Sequence, residues 1–123
     1  MNLNTVRVFV RDIGSAKRFY GEALNLQTAA DGSEHGYCVF EAGAAMLVVE
    51  AVPMDATQAD QNLVGRFTGL SFEVPSAAVA YRDLRSRGVA FTGEPEKQSW
   101  GGTLATFKDP AGNELQICER PRA

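Results

Sequence analysis

The chain repeats one pattern of secondary structure, and this repetition limits its possible folds more than any other feature. Residues 4–26 contain an alternating apolar run, a turn and a helical pattern, and residues 68–89 show the same order. Setting Val10 against Val74 gives an offset of 64 residues, about half of the 123-residue chain. Three short strand candidates follow each helix. The sequence therefore predicts two βαβββ modules, at about 1–52 and 66–120, with a linker at about 53–65.

Alternation along the strands predicts that each module has a sheet with one packed face and one mixed face. In the first strand of each module, the following residues should pack beneath the helix: Val6, Val8, Val10, Leu70, Phe72 and Val74. The residues between them form the mixed face: Thr5, Arg7, Phe9, Gly69, Ser71 and Glu73. The last strand adds Glu114, Gln116 and Cys118 to the mixed face. Such a face is typical of a solvent-facing surface or of a cavity wall, and periodicity leaves both open.

The remaining elements follow from helical spacing and from turn residues. Apolar residues recur at helical spacing over 13–24 and over 77–84. Ser76 is suited to cap the N-terminus of the second helix, and Gly88 follows its C-terminus. The other strands are predicted at about 26–31, 36–42, 45–52, 89–93, 102–108 and 113–119. We therefore expect a single α+β domain made of tandem modules.

The composition excludes several classes of function. A chain of 123 residues with 45% hydrophobic and 22% charged residues is typical of one globular domain. The net charge of −3, without a cluster of Lys and Arg, gives no electrostatic support for nucleic-acid binding. No apolar run approaches the ~20 residues that span a bilayer, and the first residues lack the pattern of a secretory signal. We therefore expect a cytoplasmic protein in which Cys38 and Cys118 are reduced thiols.

Two segments carry a resemblance to a known family. The Asp-Ile-x-x-Ala-x-x-Phe-Tyr segment at 12–20 and the Asp-Pro-x-Gly-Asn segment at 109–113 resemble those of the vicinal oxygen chelate superfamily. This superfamily includes glyoxalase I, extradiol dioxygenases and bleomycin-binding proteins, and the resemblance spans nearly the whole chain. It implies that the modules form an open, incompletely closed β-barrel with helices outside, commonly in a homodimer.

The resemblance also implies where metal ligands would lie. In the metal-using members these positions carry His and Glu, and here they fall at Thr5, Val48, Gly69 and Gln116, with Glu50 expected out of register. A divalent transition metal needs three or four imidazole, carboxylate or thiolate donors that converge on one point. The sole histidine, His35, is expected in a surface loop. The sequence therefore predicts no metal and no other cofactor, which disfavours glyoxalase I and dioxygenase activity.

The leading prediction is a metal-independent small-molecule binding protein that sequesters an aromatic drug or metabolite, as in antibiotic resistance. Six aromatic residues are available for ligand contact: Phe9, Tyr37, Phe40, Phe67, Trp100 and Phe107. Trp100 stands out because its neighbouring glycines would let the ring lie flat against a planar ligand. The predicted ligand-binding residues are Thr5, Arg7, Phe9, Tyr37, Val48, Gly69, Ser71, Trp100 and Gln116.

Three alternatives stay open at this point. The protein could be a lyase, isomerase or other enzyme of the same superfamily that uses Glu73 or Glu114 as a general base, provided that a cavity desolvates the carboxylate. It could be a metal enzyme with atypical ligands. It could also be a degenerate domain kept as an interaction module. Arg7 and Glu73 are expected to orient a ligand, to pair with each other or to be solvated.

Overall fold

The computed structural model describes residues 1–122, which form an α+β chain with two open sheets. The chain divides into two compact units. The first unit contains Met1–Arg66 and also Pro110–Asn113, and the second contains Phe67–Asp109 and the chain from Glu114 onward. Within residues 1–122, none of the helices combines the length and the apolar character that a bilayer crossing requires.

The first unit follows the predicted βαβββ order and adds one short helix. Its sheet has the order β1-β4-β3-β2, in which β1 and β4 are parallel and the other neighbours are antiparallel. A π-helical turn at Phe19–Ala23 extends the first helix, and a 3₁₀ turn at Ser33–His35 separates β2 from β3. The elements are β1 (Thr5–Val10), α1 (Ile13–Arg18), β2 (Thr28–Gly32), β3 (Tyr37–Ala42), β4 (Ala45–Ala51) and α2 (Gln58–Gln61).

The second unit repeats this order, but one of its strands is split in two. Its sheet has the order β5-β9-β8-β6, with β5 parallel to β9. β6 and β7 pair with opposite ends of β8, so the strand predicted at 89–93 is shorter than expected and a second short strand follows it. The elements are β5 (Phe67–Glu73), α3 (Ala77–Ser86), β6 (Ala90–Phe91), β7 (Glu96–Lys97), β8 (Thr103–Lys108) and β9 (Glu114–Glu119).

The core of each unit lies on the predicted packed face of its sheet. In the first unit, Val8 and Val10 are buried with residues of β3 and β4, which include Phe40. In the second unit, Phe107 is buried with Leu115 and Ile117. The packed faces are therefore confirmed at these strands. Phe40 and Phe107 are fully buried in these cores, so these two of the six aromatic residues considered for ligand contact are core residues instead.

Side-chain caps begin both longer helices. Asp12 accepts a hydrogen bond from the Gly14 N–H at the start of α1. The predicted cap at Ser76 is confirmed, because its hydroxyl accepts from the Val79 N–H at 3.2 Å. The π-helical turn was not predicted, because apolar spacing does not distinguish it from a continued α-helix.

The predicted linker is a structured segment. It contains α2, and the Gln61 amide of that helix donates to the main-chain oxygens of Pro53 at 2.8 Å and Met54 at 3.1 Å. Arg11 donates to the Gln61 side chain and, at 3.4 Å, to its main-chain oxygen. These polar contacts hold a segment that shows no hydrophobic periodicity, which explains why the sequence pattern did not predict it.

One fully buried amide, that of Asn113, joins two parts of the first unit. Its Oδ1 accepts hydrogen bonds from the Gly65 N–H at 2.8 Å and the Arg66 N–H at 3.3 Å. Its Nδ2 donates to the main-chain oxygen of Phe9 at 2.7 Å. Asn113 has 0% exposure, so its polar atoms depend on these partners rather than on bulk water. Asn113 therefore holds the end of the linker beside β1, where Phe9 also forms a β-bridge with Val64.

We predict that Asn113→Ala lowers the free energy of unfolding by about 1–3 kcal/mol, because it removes several hydrogen bonds and leaves a cavity. Denaturant unfolding followed by circular dichroism measures the change. The matched control is Asn2→Ala at an exposed position, which should change stability by no more than about 0.5 kcal/mol. Equal effects of the two substitutions would contradict the role assigned to Asn113.

Candidate functional site

The mixed face of the first sheet brings five predicted site residues together. Thr5, Arg7 and Phe9 lie on β1, on the side opposite the buried valines. The register pairs Arg7 with Val48 of β4, and it pairs Tyr37 of β3 with Glu50, which is itself the partner of Phe9. Because partners in register project to the same side of a sheet, these side chains share one open face. We call it the β1 face.

A bidentate ion pair dominates the polar part of the β1 face. Arg7 Nε donates to Glu50 Oε1 at 2.6 Å, and Arg7 Nη2 donates to Glu50 Oε2 at 2.9 Å. The hydrogen bond to Glu50 raises the pKa of the Arg7 guanidinium above its usual value. Arg7 Cζ also lies 5.1 Å from the centre of the Phe9 ring, in a cation–π arrangement. The two hydrogen bonds and the ring contact restrict the Arg7 side chain.

The structure thus places Glu50 on the β1 face, two residues after Val48 and on the same side. The sequence pattern identified Arg7 but not its partner, because the pairing depends on the register between β1 and β4. The sequence signal that could have identified Glu50 is an acidic residue at an alternating position of the strand predicted at 45–52.

A cleft of about 300 Å³ lies beside the ion pair, within the first unit. One wall comes from β1 and β4, and the other comes from the linker, including α2. Its lining residues are Arg7, Phe9, Glu50, Ala51, Val52, Pro53, Asp60 and Leu63. We call this the linker cleft. Sequence reasoning missed Asp60 and Leu63, since the predicted linker shows neither strand nor helix periodicity.

In the second unit, Gln116 is the centre of a chain of hydrogen bonds across three strands. Ser71 Oγ of β5 donates to Gln116 Oε1 at 3.3 Å. Gln116 Nε2 donates to Thr106 Oγ1 of β8 at 3.1 Å. Both ends of the amide are therefore engaged by neighbouring strands, which orients the Gln116 side chain on the sheet. Gln116 and Thr106 also line a polar cleft of about 270 Å³ in this unit.

Gly69 has a backbone role. Its φ is +76°, a left-handed conformation that glycine adopts at low cost. The register between β5 and β9 shifts between Phe67 and Ser71, which places Gly69 in the irregular part of the ladder. This position can offer a ligand only its main chain.

Two predicted aromatic residues lie against glycines of their own hairpin or turn. A methyl group added at Gly102 would lie 1.9 Å from the Trp100 ring, so the ring covers the Gly102 main chain. Trp100 is still 53% exposed. Tyr37 covers Gly32, its partner across β2 and β3, in the same way and is 38% exposed. Each ring therefore packs over a glycine on one side, and the rest of its surface is partly accessible to solvent.

The two candidate general bases do not share one environment. Glu73 forms an ion pair with Arg120, and its side chain is 59% exposed. The desolvation that a general base at Glu73 would require is therefore not present in this unit. Glu114 is half-buried, and its main-chain oxygen accepts from the Thr68 hydroxyl at 2.8 Å. The structure gives Arg7 and Glu73 separate ion-pair partners, Glu50 and Arg120, each within its own unit.

Both cysteines are free thiols, as expected. Cys38 is buried in the core of the first unit, and burial raises the pKa of its thiol. Cys118 lies on β9, half-buried, on the mixed face.

The residues at the implied metal positions do not fit a transition metal. The Thr5 hydroxyl donates to Asn4, Val48 and Gly69 have no side-chain donor atom, and the Gln116 amide is engaged on both sides. Across residues 1–122, no three His, Cys, Asp or Glu side chains are grouped so that they could hold a metal ion. His35 lies exposed in the 3₁₀ turn. The side chains present therefore give no basis for a step that uses a metal.

Comparison with known families identifies the group to which this chain is related. A model of the Glyoxalase/Bleomycin resistance protein/Dioxygenase superfamily matches residues 2–117. The chain belongs to this superfamily. The resemblance found in the two sequence segments is thus confirmed, and the paired α+β modules with open sheets agree with it.

Three relatives illustrate the range of the superfamily. The uncharacterized protein YetH of Bacillus subtilis is 29% identical over 120 residues, which cover 95% of this chain and 97% of YetH. A superfamily member from Sphaerobacter thermophilus is 25% identical, with a TM-score of 0.79 and 98% of each chain covered. TnmS3, an antibiotic binding protein from Streptomyces sp. CB03234, is also 25% identical, with a TM-score of 0.76 and with 99% of this chain and 97% of TnmS3 covered.

We predict that Gly102→Ala displaces the Trp100 ring, because the added methyl group would occupy the space of the ring. The emission of Trp100, the one tryptophan of the chain, should shift to longer wavelength and become easier to quench with acrylamide. Stability should fall by about 1 kcal/mol through local overpacking. Gly93→Ala is the control, since nothing lies within 4 Å of the added group. Identical spectra for both variants and the native protein would contradict this packing.

We also predict that Zn²⁺, Ni²⁺ or Mn²⁺ leaves the melting temperature of tag-free protein unchanged, because the implied metal positions lack a ligand set. If the protein had a binding site for one of these ions, the free ion at 100 times its Kd would add about 2.7 kcal/mol of stability, which a thermal melt readily detects. A concentration-dependent rise in Tm with any of these ions would overturn the prediction.

Proposed function

We propose that this superfamily member is a metal-independent binding protein for amphipathic small molecules that carry a planar aromatic ring. The observation that carries the proposal is the β1 face, where the rings of Phe9 and Tyr37 lie on the same side of the sheet as the Arg7–Glu50 ion pair, and where Phe9 also lines the linker cleft. Ligand sites typically combine apolar walls with a few oriented polar groups. The β1 face and the linker cleft have both parts, in Phe9, Tyr37 and the Arg7–Glu50 pair.

Magnitudes indicate that the apolar contact would supply most of the affinity. Removing about 100 Å² of apolar surface from water contributes about 2.5 kcal/mol, which is nearly two orders of magnitude in Kd. An exposed ion pair contributes only about 0–1 kcal/mol, and the Arg7 side chain is 57% exposed. The pair would therefore orient a ligand, and the rings would hold it.

Similarity to TnmS3, an antibiotic binding protein, supports a binding role and supports drug sequestration as its purpose. Catalysis by Glu73 is less favoured, because this carboxylate is ion-paired with Arg120 and exposed to solvent. The homodimer expected from the resemblance is kept as part of the proposal, since each unit has an open sheet with edge strands.

The test is a thermal-shift screen of planar aromatic compounds, followed by calorimetric titration of those that raise Tm. Phe9→Ala should weaken their binding by about 10-fold or more, because it removes the ring that borders both Arg7 and the cleft. The matched control is Met54→Ala in the linker, a side chain that is 87% exposed and does not line the cleft. Binding that is insensitive to Phe9→Ala would place the ligand elsewhere, and turnover of any bound compound would refute a purely binding role.

A further inference from the structure

The charges of the linker cleft point to the class of compound that it would bind. We infer that the linker cleft selects aromatic ligands that carry a positive charge, such as a protonated amine, over those that carry a carboxylate. This inference rests on the proposed binding function and adds a charge preference to it.

The positive charge that lines the cleft is already neutralised. Arg7 contributes it, and both oxygens of the Glu50 carboxylate accept hydrogen bonds from the guanidinium, at 2.6 and 2.9 Å. A bidentate pair of this kind is among the stronger hydrogen-bonded ion pairs. A ligand carboxylate would have to displace Glu50 from Arg7 and would then leave the Glu50 charge without its partner.

Asp60 supplies the charge that remains. It lies in α2 and lines the cleft from the linker side. The ion pairs among residues 1–122 do not include Asp60. Arg11, whose guanidinium contacts α2, donates to Gln61 rather than to Asp60. Arg7 and Glu50 offset each other, so the cleft presents the single negative charge of Asp60 to a ligand.

The position of Asp60 is held by its neighbours in the chain. The Asp60 N–H donates to the Thr57 hydroxyl that caps α2, and Gln61 ties the same helix to the main chain of Pro53 and Met54. The carboxylate therefore extends from an anchored turn rather than from a free loop. Little ordering of the chain would be needed when a ligand binds.

The apolar walls favour the same class of ligand. Phe9, Pro53 and Leu63 offer surface to an aromatic ring. The face of the Phe9 ring attracts positive charge, as its contact with Arg7 at 5.1 Å already illustrates. A cationic ring system can therefore use the walls and the Asp60 charge together, whereas an anionic one is repelled by the Asp60 charge.

Two probes with one ring system and opposite charge test the inference. We would titrate the full-length protein with 9-aminoacridine, a cation at pH 7, and with acridine-9-carboxylate, an anion, at low ionic strength. The cation should bind about 10-fold more tightly, and added salt should narrow the difference because the charges are exposed.

Variants of Asp60 then locate the source of the preference. Asp60→Asn should weaken 9-aminoacridine binding by about 3- to 10-fold and leave acridine-9-carboxylate unchanged or tighter, whereas Asp60→Glu should retain the preference. The matched control is Asp55→Asn, an exposed linker residue outside the cleft lining, which should bind both probes like the native protein. Thermal melts verify that each variant is folded.

Three outcomes would overturn the inference. Equal or tighter binding of acridine-9-carboxylate would refute the charge preference while leaving the proposed binding function intact. Unchanged 9-aminoacridine binding in folded Asp60→Asn would refute the role of Asp60. Absence of binding by both probes, together with failure of every compound in the aromatic screen, would refute the proposed function and the inference together.

Discussion

The buried amide of Asn113 is the interaction on which the candidate site most depends. It binds the main chain of Gly65 and Arg66 at the end of the linker and the main chain of Phe9 in β1. Phe9 and residues of the linker both line the linker cleft. The buried Asn113 side chain thus holds together two segments that are far apart in sequence. These hydrogen bonds explain why the Asp-Pro-x-Gly-Asn segment ends in asparagine.

The polar groups on the open faces of the two sheets are paired in different ways. On the β1 face, Arg7 and Glu50 neutralise each other and leave apolar surface accessible beside them. In the second unit, Ser71, Gln116 and Thr106 satisfy one another across three strands. Polar groups that are already paired gain little from a metal or from a new charged partner. This pairing favours recognition through shape and aromatic contact, with a modest electrostatic preference from an unpaired carboxylate such as Asp60.

Much of the fold could be predicted because strand and helix periods are local properties of a sequence. Val8 and Val10 lie in the core as alternation predicts, and Ser76 caps α3 as expected. The linker helix was not predicted, because Gln61 stabilises it through hydrogen bonds to the main chain, and such bonds leave no hydrophobic periodicity in the sequence. The sequence could not separate Phe40 and Phe107, which lie in the cores, from aromatic residues available to a ligand, since an aromatic residue suits a core and a binding site equally well.

The sequence by itself determined the tandem α+β modules, the packed and mixed faces of the strands, and the lack of a metal-ligand set at Thr5, Val48, Gly69 and Gln116. Only the tertiary structure decided the partners of the side chains on those faces. Arg7 meets Glu50 because β1 and β4 pair in one register, and the Trp100 ring packs over Gly102 because that residue has no side chain. Periodicity assigns a residue to a face, but a hydrogen bond or ring contact depends on distances between strands that are remote in sequence.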